Sequence, residues 1–254
     1  MGYRRHMRFL PFVTLAVVAA LAACNDTPEQ KPVEGRNAAN YTAANIAPLA
    51  ERSRDPAELD GAFLAAFPNP VARVGEDDYS FKPAALYRLK DNWVLLSEGT
   101  GPDCHACSGW LAVHYLRQTP EGFALVKGWN DAIPGTSFGG APQWTLRTDL
   151  ASVPVIESEH GGTWQGYSCS VARLTGLDPN GPTRLAEHIP LAYSDAGAIV
   201  DDTKPREVDG TIAQGQRDQS FTVHYKGTVT QDVVYSRKGA GFVAGTGADT
   251  IPQC

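Results

Sequence analysis

Three regimes of hydropathy follow one another along the chain. From Phe9 to Ala23 every residue is apolar except Thr14, with one proline at position 11. From Asn25 to about Ala44 the periodicity disappears, and Asn, Pro, Glu, Lys and Ala dominate. From about residue 45 a pattern returns, first at a helical period and then at a period of two. Leu59, Ala62, Phe63, Ala66 and Phe67 follow the i, i+3, i+4, i+7, i+8 stripe of an amphipathic helix. Asp55 is placed to cap it, Pro56 fits its first position, and Glu58 falls where a capping box wants an acid. Pro68 and Pro70 stop it.

Beyond Pro70 the pattern alternates. It predicts strands over Ala84–Leu89, Trp93–Ser97, Leu111–Tyr115, Phe123–Trp129, Gln143–Arg147, Val153–Glu159, Thr163–Leu174, Thr183–Ile189, Ser220–Lys226 and Thr228–Arg237. Lys90-Asp91-Asn92, Thr119-Pro120-Glu121-Gly122, His160-Gly161-Gly162 and Asp178-Pro179-Asn180-Gly181 read as turns. Many short strands with Gly/Pro punctuation predict a mostly β domain over residues 45–254: an antiparallel sandwich or barrel-like fold with one short N-terminal helix. A few-bladed propeller-like array is the alternative. A faint echo between Ala112-Val113-His114-Tyr115 and Thr222-Val223-His224-Tyr225 is read as recurring hairpin chemistry, with a blade repeat as its alternative.

The apolar run at the N-terminus has a basic start in Arg4, Arg5 and Arg8 and small residues at its end, the three zones of a secretory signal peptide. It is short for a membrane span, which takes about 20 apolar residues. Leu21-Ala22-Ala23-Cys24 resembles the lipobox of bacterial lipoproteins. That resemblance implies removal of residues 1–23, lipidation of Cys24, and attachment to the membrane through acyl chains. Residues 24–44 then read as a flexible tether. Asn25 differs from the Asp that favours inner-membrane retention in enterobacterial lipoproteins, which points to the periplasmic face of the outer membrane. Met7 is an alternative start, because Arg8 still supplies charge.

Loss of residues 1–23 removes three of the 22 basic side chains and none of the 28 acidic ones, which changes the net charge from −6 to −9. Such a surface disfavours nucleic acid, and no basic run interleaved with aromatics occurs.

Four cysteines remain once Cys24 is lipidated: Cys104, Cys107, Cys169 and Cys254. An even number in an oxidising compartment predicts two disulfides. Four cysteines allow three connectivities, and Cys104–Cys107 with Cys169–Cys254 is preferred to the two crossed pairings. Cys104–Cys107 closes a loop locally. Cys169–Cys254 fastens a terminus that would otherwise fray, for on the order of 4 kcal/mol in the chain-entropy model. Cys104-His105-Ala106-Cys107 also admits other chemistry. Haem attachment needs His directly after the second Cys, where Ser108 stands. Thioredoxin-like exchange favours a helix N-terminus after the loop, where a strand pattern follows instead. A reduced zinc or copper cluster needs free thiols.

Gly135-Thr136-Ser137-Phe138-Gly139 matches the G-x-S-x-G pattern of a nucleophile elbow, but Pro134 and Pro142 flank it and no helix pattern follows. Glu157 and Glu159 share one strand face and are expected to line a groove. Trp164 and Tyr167 lie in a Gly-flanked aromatic segment, where exposed rings stack on sugars or peptides. These four residues are the candidate binding surface. No catalytic set, cofactor or metal is assigned. The expected function is therefore a lipid-anchored envelope protein with a non-catalytic binding or structural β domain, its ligand an unidentified protein or glycan. The alternative is an envelope enzyme acting on glycan or cell-wall substrates.

Overall fold

The computed structural model describes residues 49–90, 92–200 and 203–253. The leader, the lipobox, Cys24, the whole of the tether, Asp91 and Cys254 lie outside them. The described residues form one compact unit.

Helix α1 (Pro56–Ala66) forms where the apolar stripe and the two prolines place it. Asp55 caps it by accepting from the Ala57 N–H at 2.9 Å. Glu58 does not complete a capping box. Its carboxylate instead accepts from Ser53 Oγ at 2.6 Å, and the same hydroxyl accepts from the Asp55 N–H at 3.2 Å.

Two antiparallel sheets make up the rest. The first contains β1 (Glu51–Arg52), β2 (Val71–Val74), β3 (Asp77–Arg88), β4 (Trp93–Thr100), β5 (Trp110–Thr119) and β6 (Gly122–Pro134). Strands β3 to β6 pair in chain order, and β1 and β2 both pair with β3, at its two ends. The second contains β7 (Gln143–Arg147), β8 (Val155–Trp164), β9 (Tyr167–Asp178), β10 (Gly181–Ser194), β11 (Glu207–Gln214), β12 (Ser220–Gly227), β13 (Gln231–Lys238) and β14 (Gly241–Ala244), again each beside its neighbour in sequence. Neither sheet closes into a barrel, and sheets of six and eight strands are not propeller blades. The fold has the character of a β-sandwich.

Alternation explains the layers. Val94, Leu96, Leu111, Val113 and Ile133 of the first sheet meet Ile156 and Leu177 of the second, with Trp144 and Leu146 at the edge. The Trp144 indole N–H also reaches Glu98 of β4, at 3.3 Å. On the opposite face of the first sheet, Ala62, Leu59 and Phe63 of α1 cover Leu86, Leu95 and Leu116. His114 is buried on that same face, its ring 4.7 Å edge-on from Phe67. The second sheet builds another core around Val155, Leu174, Ile189, Phe221, Val223 and Tyr235. It curls far enough that a Cβ on Gly241 of β14 would stand 2.9 Å from the Leu185 carbonyl of β10. Irregular register between β9 and β10, with His188 at φ 54°, supplies part of that curl.

One expected turn is corrected. His160-Gly161-Gly162 is not a turn: β8 runs through it to Trp164, and the chain reverses at Gln165-Gly166, both in the left-handed region. The two glycines serve close approach instead. A Cβ on Gly161 would lie 2.1 Å from the Cys169 carbonyl, and one on Gly162 would strike the Trp164 ring at 2.5 Å.

Candidate functional site

Three segments distant in sequence meet beside the β8–β9 hairpin. The first is the loop carrying Cys104 to Cys107, whose sulfurs form a disulfide with the Cα atoms 5.1 Å apart. The second is the loop Gly135–Gly140. Backbone bonds fasten the two together: the Phe138 N–H donates to the Cys104 carbonyl at 3.2 Å, the Gly139 N–H to the Cys107 carbonyl at 2.9 Å, and the Gly101 N–H to the Gly139 carbonyl at 3.0 Å. Only glycine fits at 139, where φ is +67° and a Cβ would lie 2.6 Å from the Gly101 carbonyl. The third is the end of β8. Trp164 lies with its six-membered ring against Gly162, and the His105 ring meets it edge-on at 6.1 Å. His105 also meets Phe138 edge-on, at 5.1 Å.

These rings form an exposed aromatic rim: Phe138 is 56%, Trp164 43% and Tyr167 41% exposed. The other tryptophans, Trp93, Trp110, Trp129 and Trp144, pack against the cores. Trp164 is therefore distinguished by position rather than by residue type.

Next to the rim is an open cavity of about 580 Å³ over strands β8 to β11. Glu159, His160, Ser170, Tyr193, Glu207 and Asp209 are among its polar lining residues. His160 and Gly161 are shared with the smaller cleft beside Trp164 and Cys107, so cavity and rim are continuous. Among the described residues no Arg or Lys lines the cavity. Lys226 stands across from Asp209 in the ladder but forms no ion pair with it. Tyr193 is fixed from behind, where the Arg206 guanidinium donates to its hydroxyl at 2.7 Å and to buried Asp195 at 2.8 Å. That donation holds Asp195 below the usual carboxylate range. Burial pushes His160 below the ordinary histidine value, with the Arg173 charge acting the same way, and its Nδ1 is buried without a partner.

The expected acidic pair divides. Arg147 holds Glu157 at 2.5 Å and Asp149 at 2.7 Å, so Glu157 belongs to an ion-pair network. Burial nevertheless raises the Glu157 pKa, with Arg147 opposing the shift. Glu159, two residues further on, forms no such pair and faces the cavity. Trp164 and Tyr167 face each other across the hairpin end. Ser137 lies in a strand-to-strand connection between β6 and β7, without the helix an elbow requires. Cys169 is disulfide-bonded and half-buried against the second core. Its expected partner, Cys254, lies outside the described residues. Among those residues no group of three or more His, Cys, Asp or Glu is placed to hold a metal.

His160, Phe138, Glu207 and Asp209 were missed as site residues. His160 was hidden by its glycine neighbours, which read as a turn. Glu207 and Asp209 lie on β11, where Val208 and Ile212 give the alternating signal that Gly210 interrupts. Comparison with protein-family models, with curated proteins and with solved structures found no match.

Proposed function

We propose that this is a lipid-anchored protein of the bacterial envelope whose β domain is a non-catalytic binding module, and that a glycan is its ligand. The observation that carries the glycan reading is the Trp164 platform beside a hydroxyl- and carboxylate-lined cavity. The six-membered ring packs against Gly162 and the indole stays 43% exposed, which offers a held aromatic surface to the apolar face of a sugar. Glu159, Glu207, Asp209, Ser170 and Tyr193 supply acceptors and hydroxyls for sugar OH groups. The absence of a lining cation disfavours an anionic ligand. The lipobox resemblance at Cys24 supports the anchor, and the chain of residues 24–44 gives the domain reach from the membrane.

A second reading, an envelope enzyme acting on glycans, is favoured by one observation: three carboxylates share the cavity wall. Titration calorimetry of the full-length protein in detergent with soluble, uncharged N-acetylglucosamine oligosaccharides tests the binding reading, and product analysis of the same mixtures tests the enzyme. Saturable binding without bond cleavage, lost in Trp164→Ala, is expected. Cleavage that disappears in Glu159→Gln transfers the assignment to the enzyme, and no binding to the wild-type protein refutes the glycan reading.

A further inference from the structure

We infer that the Cys104–Cys107 bridge is a reactive disulfide, a site of thiol–disulfide exchange with dithiols, rather than a structural staple.

The argument starts from what the bridge contributes. It joins residues only three apart. In the chain-entropy model the constraint a disulfide places on the unfolded chain grows with loop length, so this bridge constrains the chain less than half as much as one closing the long loop after Cys169 would. It also adds little packing, since neither cysteine belongs to any of the four apolar clusters. Nor is the bridge needed to position its loop. The Cys104 and Cys107 carbonyls are held by the Phe138 and Gly139 N–H groups, and the Cys107 N–H closes on the Cys104 carbonyl at 3.0 Å. These bonds persist when the sulfurs part, so the two thiols stay side by side and ready to re-form the bridge.

Access is the second half of the argument. Cys104 is exposed, as are Asp103, His105 and Ala106 around it, whereas Cys107 is half-buried at the edge of the cleft beside His160 and Trp164. Exchange requires an attacking thiolate to approach a sulfur along the bond axis, and access selects which sulfur is attacked. Cys104, the more exposed residue of the pair, supplies the electrophilic Sγ, and Cys107 is the leaving group. The bridge at Cys169 is the internal contrast: that residue, half-buried like Cys107, packs against the second core, whereas neither Cys104 nor Cys107 packs against a core.

The exchange is balanced with a dithiol as co-reactant. One thiolate of the dithiol attacks Cys104 Sγ. The Sγ–Sγ bond breaks, and Cys107 leaves as a thiolate that takes up a proton. The second thiol of the dithiol then loses its proton and attacks its own partner sulfur in the mixed disulfide. Cys104 is released as a thiol, and the dithiol departs as a cyclic disulfide. Two electrons and two protons pass from the dithiol to the protein.

The test treats native full-length protein with limiting dithiothreitol, traps thiols with iodoacetamide at timed intervals, and maps the adducts by mass spectrometry. Circular dichroism follows the same samples. Cys104 and Cys107 should both be labelled at least about tenfold faster than Cys169, with the β signal unchanged, and removal of the reductant in air should restore the bridge. Equal labelling of Cys104, Cys107 and Cys169 overturns the inference. So does labelling that requires denaturant, or loss of the β signal as the bridge opens, since each marks a structural bond. None of these readouts involves a glycan, so the result stands apart from the binding reading.

Discussion

Strand β8 is two strands in one, and its halves show what separates core from site in this molecule. In the first half, Val155 and Ile156 are fully buried, one against each core. In the second half, Glu159, His160, Gly161 and Gly162 line the cavity with side chain or backbone, and Trp164 ends the strand exposed at 43%. The ladder to β9 is unbroken across both halves, from Val155–Gly176 to Trp164–Tyr167. Backbone pairing therefore sets the frame, and the side chains alone turn it from a packed layer into an open surface. The first sheet has no equivalent change across β4 and β5, because α1 covers one face and the second sheet the other.

The sharpest break of this comparison is a deletion in the covered region. Leu95, at 0% exposure beneath α1, should cost about 2–5 kcal/mol on Leu95→Ala. Urea denaturation measures it, and a loss below about 1 kcal/mol would mean that the helix does not seal the sheet.

Acid gives the next largest effect. Burial pushes His114 down to about 4, and the side chain of Asn130 offsets only part of the shift. The unfolded chain takes up this proton near the ordinary histidine value of about 6.5, before the folded chain does. Its contribution is therefore complete above about pH 6.5 and is lost as the pH falls toward 4, with a span of about 3 kcal/mol. Stability measured against pH should show that slope, and His114→Phe should flatten it. A slope unchanged in the variant would move the proton uptake to another group.

The smallest effect belongs to the open half. Trp164→Ala should change stability by less than about 1 kcal/mol, because the ring rests on Gly162 and solvent rather than within a core. Thermal unfolding checks this, and a loss comparable with that of Leu95→Ala would make Trp164 a core residue and erase the distinction between the halves.

The sequence carried the local features well. The Asp55-Pro56 start, the apolar stripe and Pro68 locate α1 without tertiary information, and the β7 bounds match the period-two run Gln143–Arg147. Strand β11 was not legible because Gly210 breaks the alternation. Its space is filled from across the sheet by Tyr225, whose ring would stand 2.8 Å from a Cβ there. The site was legible only in fragments. Trp164, Tyr167 and Glu159 were readable as residue types, but the meeting of the disulfide loop with Phe138 and Trp164 depends on contacts between distant segments. The division between Glu157 and Glu159 depends on Arg147, ten residues away from Glu157 and on the neighbouring strand. A pattern along one strand does not reveal which cation stands across from it.

The order of strands has a consequence for how the chain acquires its shape. From β2 to β6, and again from β7 to β14, every strand pairs with the one made just before it. Short sequence separations between partners lower the entropy lost in bringing them together. The sheets can therefore grow by one hairpin at a time as the polypeptide emerges, each new strand finding its template already in place. Contacts between distant segments must wait, two of them at the margins of the sheets. Glu51 and Arg52 are held until Tyr87 and Arg88 appear, and Leu185 is held until Gly241 arrives to complete the curl of the second sheet.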